Sequence, residues 1–279
     1  HGGRNVFVTG KAGTGKSTLL RYFRGHTSKK IVVLAPTGVA ALNVAGETIH
    51  SFFRFKPGTT PDKVRRARKK DAELYKALEV IVIDEASMVR ADLLDCVDGF
   101  MRLNGPDPSR PFGGVQLALF WDLYQLPPVV TGAEREIFSS YYEGPYFFNA
   151  NVFKKTGLEY LELEKIYRQK DQGFIDILNA IRNNSIKAPQ LAALNRRVGA
   201  DVSNDGRGIT VRLQTTNADA AEVNNERLRG LDGRGHVYKA QITGTFTRDS
   251  YPADDELHLK AGAQVMLLNN DKDGRWVNG

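Results

Sequence analysis

Gly10-Lys11-Ala12-Gly13-Thr14-Gly15-Lys16-Ser17 decides how the rest of the chain is read. It fits G-x-x-x-x-G-K-[ST], a loop whose backbone N–H groups cradle phosphate. The apolar run Asn5–Thr9 precedes it and predicts a strand. Leu19, Leu20, Tyr22 and Phe23 follow at helical spacing. Strand, glycine loop and helix N-terminus together form an anion site, because free N–H groups and the helix dipole converge there. Gly13 and Gly15 let the backbone approach phosphate without a Cβ in the way. The phosphate-binding set is expected to be Gly13, Thr14, Gly15, Lys16, Ser17 and Thr18. Lys16 would neutralise the β- and γ-phosphates of a nucleoside triphosphate, and the Ser17 hydroxyl would ligate Mg²⁺.

Outward from the loop, buried strands recur. Lys30–Ala35, Leu78–Ile83 and Val115–Phe120 are continuous apolar runs, the signature of parallel strands covered on both faces. Helical patterns lie between them, as in Val39–Leu42 and Ala91–Leu103. This alternation implies an α/β fold with ligands at the carboxyl ends of the strands. Past Asn149 the pattern restarts with Leu158–Leu163, a helix over 174–182 and a strand over 209–213. From His236 the strands become short and turn-separated. The expected division is a first domain over 1–150, a partial second domain over 151–235, and a β-rich segment over 236–279.

The bulk properties narrow the class. The 279 residues carry a net charge of +7. Six of those seven excess charges fall between Arg54 and Lys76, where nine basic residues face three acids. Pro57-Gly58 and Pro61 mark this segment as a small insertion. A basic stretch of this kind is either a solvated face or a footprint for phosphates. Cys96 is the single cysteine, so no intrachain disulfide forms. No apolar run reaches membrane-spanning length, since Ile31–Ala45 is broken by Pro36 and Asn43. The first residues lack a signal-peptide core. The expected location is cytoplasmic in a bacterium, or nuclear or mitochondrial in a eukaryote.

Three further stretches carry chemistry. Ile81-Val82-Ile83-Asp84-Glu85 is a strand ending in two acids. In a phosphate-loop protein the first holds Mg²⁺ and the second orients and deprotonates the attacking water. Gln125 sits just past a strand end, where an amide can donate to phosphate and accept from water. Taken alone it is equally an exposed turn residue. Arg168 follows Leu158–Leu163 and is either a surface ion-pair partner or a group that stabilises charge on the γ-phosphate.

Several strings, in order along the whole chain, resemble the Pif-type DNA helicases of superfamily 1B, relatives of RecD and Dda. They are the Gly10–Ser17 loop, Ala35–Ala41, Gly46-Glu47-Thr48-Ile49-His50-Ser51-Phe52-Phe53, Asp84–Met88, Asp122–Val129, Tyr167-Arg168-Gln169, Gln264–Leu267 and Val277–Gly279. The histidine-containing string and Gln125-Leu126-Pro127-Pro128 are the most specific. The resemblance implies two RecA-like domains with ATP at their interface, the second incomplete and interrupted by the start of a small β-barrel. It implies 5′-to-3′ translocation on single-stranded DNA, acting on forked or structured DNA, by a monomer. Glu85 becomes the catalytic acid/base, Gln125 a γ-phosphate contact and Arg168 an arginine finger. Thr37, Gly38, His50, Ser51, Phe52 and Asn217 fall on the DNA side. Phe52, Phe53 and Phe55 among Arg54 and Lys56 suit single-strand binding, where aromatics stack bases in a positive groove.

Three departures stand out. Trp121 occupies a place where the family has glycine, and an indole there is expected to strain the turn or block the cleft, weakening Gln125. The family's adenine-reading glutamine string and its last motif, with a further arginine, are not in these residues. A chain of this extent is expected to bind nucleotide poorly and not to unwind. The rival readings are a clamp-loader-like switch, with one such domain and a helical lid, or a nucleic-acid-binding module without turnover.

Overall fold

The computed structural model describes residues 3–56, 58–122, 124–167, 169, 171–199, 211–243, 253–267 and 275. Residues 1–190 and 191–279 form two compact units.

The first unit is built on a six-stranded parallel sheet. Its strands are β1 (Asn5–Gly10), β2 (Ile31–Ala35), β3 (Glu47–Thr48), β4 (Val80–Ile83), β5 (Gln116–Phe120) and β6 (Leu158–Leu163), in the order β3-β2-β4-β5-β1-β6. β4 lies inside the sheet, and all four of its residues are buried, which explains its unbroken Val-Ile-Val-Ile run. Successive strand residues feed opposite faces. Phe7, Leu34, Ile81, Ile83, Leu117 and Leu119 join one core cluster, whereas Val8, Val33, Val80, Val82 and Phe120 join the other. Helix α1 (Lys16–His26) supplies Leu20 to the second cluster. Helices α2 (Gly38–Asn43) and α3 (Ile49–Phe53) follow β2 and β3. The short α4 (Ala72–Lys76) and the long α5 (Ala91–Asn104) pack on the first cluster through Tyr75, Leu94, Val97 and Met101. After β5 come α6 (Gly132–Tyr141) and, after β6, α7 (Gln172–Arg182) and α8 (Ala188–Asn195).

Leu158–Leu163 corrects the expected domain division. It pairs with β1 over six residues, from Asn5↔Leu158 to Gly10↔Leu163. It therefore completes the first sheet instead of opening a second. Its alternating, glutamate-bearing sequence suits this edge position, where four of the six residues are exposed.

The basic insertion is anchored at several points. The Tyr75 hydroxyl donates to the Phe52 carbonyl at 2.8 Å, and the Ala67 N–H donates to Asn104 Oδ1 at 2.8 Å. Arg54 pairs with Asp71 at 3.2 Å. The segment is thus a folded flap on α3 and α5, with Arg54, Lys56, Lys63, Arg65, Arg66 and Arg68 around a cleft. Cys96 is buried on α5, and burial pushes its thiol pKa up to about 12, which leaves it unreactive.

The second unit contains α9 (Asn217–Arg229), capped by Thr216, whose hydroxyl oxygen accepts from the Asp219 N–H at 3.1 Å. β7 (Gly235–Lys239) and β8 (Glu256–Lys260) form an antiparallel ribbon. Lys260 Nζ donates to the carbonyls of Arg229 and Leu231 at the end of α9, at 3.2 and 2.7 Å. Residues 211–213, expected to end a strand, pair with no strand among the described residues, and 209–210 lie outside them. Among the described residues no helix is long and apolar enough to cross a membrane.

Candidate functional site

The phosphate loop leaves the carboxyl end of β1 and enters α1 with Gly15 at the helix N-cap. Gly13 and Gly15 adopt φ of +80° and +92°, a region that excludes most side chains and turns the loop back on itself. Thr14 is buried, and its hydroxyl donates to the Lys11 carbonyl at 2.8 Å. Lys16 stands at the mouth of the loop, its ammonium donating to the Gly10 and Lys11 carbonyls at 2.6 and 3.2 Å. Ser17 and Thr18 are exposed in the first turn of α1.

Beside it, β4 delivers Asp84 and Glu85. Asp84 is buried, and its backbone N–H donates to the Leu34 carbonyl at 2.9 Å. Glu85 takes left-handed backbone angles (φ 51°, ψ 41°), a strained choice for a residue with a Cβ. These groups act on one another. Burial lowers the pKa of Lys16, against the pull of Asp122, Glu85 and Asp84. Burial raises both Asp84 and Glu85, and Asp84 raises Glu85 further, while Lys16 draws each of them back down. Lys16 and Arg182, the latter paired with Asp122, thus face three carboxylates, an arrangement suited to further positive charge at the strand ends.

A cleft of 640 Å³ opens next to these residues, lined by Thr37, Asn43, Glu85, Ser87, Tyr124 and Gln125 among others. It brings together three residues that the sequence singled out separately. Gln125 is exposed, with its backbone N–H bonded to the Asp122 carbonyl at 3.0 Å. Thr37 caps α2, its side chain accepting from the Ala40 N–H, and Gly38 is the first residue of that helix. His50 is half-buried on α3, and burial lowers its pKa against the opposing charge of Asp92.

Two expectations change. Phe52 and Phe53 are core residues, 9% and 2% exposed, packed edge-on to one another and against Tyr75. Their rings are occupied by the core, so the stacking platform expected of them falls away and only Phe55 is partly open. Trp121 is also buried, against Phe7 and Phe147 with ring centroids 4.4 Å away in each case. Its indole fills the core and not the cleft, so it does not block Gln125.

Arg168 lies outside the described residues. Its neighbour Tyr167 donates its backbone N–H to the Gly13 carbonyl at 2.8 Å, which brings the segment after β6 to the phosphate loop. Asn217 is the first residue of α9, in the other unit. Sequence reading missed Arg182, at the end of α7, which pairs with buried Asp122. No local motif marks it, because its partner is sixty residues away. Among the described residues no cluster of three or more His, Cys, Asp or Glu forms a metal cage. Buried Asp84 and exposed Ser17 offer oxygen donors of the kind Mg²⁺ takes from protein, its other ligands coming from phosphate and water.

Comparison with known proteins gives a consistent picture. The model of the PIF1-like helicase family matches residues 1–191. An "ATP-dependent DNA helicase PIF1" of Homo sapiens is 36% identical over 96% of this chain and 42% of its own length. Its namesake in Saccharomyces cerevisiae is 35% identical over 99% of this chain and 33% of its own length. A crystal structure of a Bacteroides Pif1 helicase in complex with ADP-AlF3 and single-stranded DNA superposes with a TM-score of 0.88 at 40% identity, covering 99% of this chain and 64% of that one. The chain therefore spans less than half the length of these curated relatives.

Proposed function

We propose a function from one premise: this chain belongs to the PIF1-like helicase family. It forms part of the motor of an ATP-driven DNA helicase that moves 5′ to 3′ on single-stranded DNA and opens forked or structured duplexes. The observation that carries this reading is the shared cleft, in which Glu85 and Gln125 stand beside Thr37. Hydrolytic groups and a proposed DNA-binding residue thus border one space. The solved relative holding both a nucleotide complex and single-stranded DNA supports it.

In this reading the loop N–H groups and Lys16 hold the triphosphate, with Gly13, Thr14, Gly15, Ser17 and Thr18 around it. Asp84 and the Ser17 hydroxyl hold Mg²⁺, which screens phosphate charge when bound. Glu85 takes the proton of the attacking water, Gln125 orients that water against the γ-phosphate, and Arg168 stabilises the charge that develops. Thr37, Gly38, His50 and Ser51 face DNA from the first unit and Asn217 from the second. We assign the second RecA-like domain to residues after 190, with the β7–β8 ribbon as the start of its β-barrel insertion. The working unit is one copy, although one solved relative concerns two coordinating Pif1 helicases at forked DNA.

ATP hydrolysis with and without single-stranded DNA tests the whole reading. Strong stimulation would support the helicase reading. Turnover indifferent to DNA would favour a switch ATPase, and DNA binding without turnover a passive module.

The basic flap makes a separate prediction. Replacing Arg65, Arg66 and Arg68 with glutamine will weaken single-strand binding and flatten its salt dependence. The log–log slope should fall by about 2, because each phosphate neutralised on a single strand adds ~0.7 to it. Fluorescence anisotropy across a salt series reads this directly. An unchanged slope would make the flap a solvated surface.

A further inference from the structure

Arg182 is the last residue of α7, and its side chain is 18% exposed. It reaches the segment that carries Gln125. Its Nη1 lies 2.7 Å from both carboxylate oxygens of Asp122, whose side chain is 2% exposed. Its guanidinium also lies over the Tyr124 ring, 4.1 Å from the centroid. Asp122 in turn organises the turn leading to Gln125. Its Oδ1 accepts from the Tyr124 N–H at 3.1 Å, and its carbonyl accepts from the Gln125 N–H at 3.0 Å. The start of the segment is fixed to β1, where the Trp121 N–H donates to the Val8 carbonyl at 3.0 Å. Past Trp121, Arg182 is the group from another element that grips Asp122 and Tyr124 together. One nitrogen holds the carboxylate while the guanidinium lies over the ring, a combination that fixes both distance and angle and that a lysine, with no planar group to lay on the ring, cannot reproduce.

We propose that Arg182 is a positioning residue for ATP hydrolysis: clamped on Asp122 and Tyr124, it sets where Gln125 stands across the cleft from Glu85. It also supplies the positive partner for Asp122, which leaves Lys16 to the phosphates. The inference rests on the ATPase reading above, and it places α7, the helix just after Arg168, in mechanical contact with the Gln125 turn.

Arg182→Gln should lower kcat for DNA-stimulated ATP hydrolysis about tenfold or more, since small misplacements of a reacting group can cost up to ~100-fold. Binding of a fluorescent ATP analogue and the KM for ATP should stay close to those of the parent. In a Gln125→Ala background the same substitution should have little further effect, because Gln125 is the group it acts through. Arg182→Lys keeps a positive partner for Asp122 but not the planar group over Tyr124 and should lie between. It also serves as the test if Arg182→Gln does not fold. The proposal is overturned by an unchanged kcat, by an equal kcat loss in the Gln125→Ala background, or by a loss of nucleotide affinity that matches the loss of rate. Parent protein without ATPase activity would instead defeat the helicase reading.

Discussion

Glu85→Gln will lower the DNA-stimulated kcat by about 10²–10⁴-fold, the usual worth of a positioned general base, and leave nucleotide binding in place. The substitution keeps the shape of the side chain and removes its ability to take a proton. Lys16, the loop N–H groups and Asp84 remain to hold the triphosphate. Binding should not suffer, because a carboxylate near phosphate repels it. The pH dependence has a defined sign. The base works only when ionised, and burial together with Asp84 raises its pKa. The parent rate will therefore begin to fall, on acidification, at a pH above that of an ordinary glutamate. Stopped-flow phosphate release across pH, paired with analogue binding, measures both quantities. An unchanged kcat would remove Glu85 from the role of base.

Trp121→Gly will destabilise the protein by about 3–5 kcal/mol, as large-to-small changes at buried aromatics do. The indole is 3% exposed and packs on Phe7, Phe147 and Phe148. For a unit of 190 residues, each kcal/mol lowers the melting temperature by about 2–4 °C. Trp121→Phe separates packing from polarity. The indole Nε1 is buried and has no hydrogen-bond partner among the described residues, and phenylalanine keeps much of the ring while removing that donor. Its melting temperature should stay near the parent's. Calorimetry of the two variants decides the matter. A Trp121→Gly protein that melts like the parent and hydrolyses ATP faster would restore the idea that the indole obstructs the site.

The sheet's inner strands were readable because β1, β2, β4 and β5 are covered on both faces, and double burial writes an unbroken apolar run into the sequence. Some helices were readable from their apolar spacing, so Ala91–Leu103 became α5 with one more residue and Phe174–Arg182 became α7 with two, whereas α3 and α6 were not read. β6 was legible as a strand but not in its place. Parallel pairing leaves no local trace of which strand lies alongside, and an edge strand with exposed glutamates resembles the start of something new. At the candidate site, Lys16, Asp84 and Glu85 could be singled out because they follow from one loop and one strand end, and Gln125 through the family resemblance; the structure lines one cleft with Glu85 and Gln125. The burial of Phe52, Phe53 and Trp121 was not, because a ring beside basic residues has the same sequence signature whether it faces solvent or core. Arg182 escaped for a related reason: its ion pair joins two elements that are distant in sequence.

The place of β1 in the sheet also imposes an order in time. Its two neighbours are β5 and β6, and it makes no pairing with β2 or β4. Synthesis from the amino end produces β2, β3 and β4 as a set that can pair at once. β1 waits for strands encoded far downstream, and such non-local closure is slow. The Tyr167–Gly13 bond waits longer still. Within this unit, the loop proposed to hold the nucleotide is therefore made before β5 and β6 and secured only after them, so its final placement waits until most of the unit has been made.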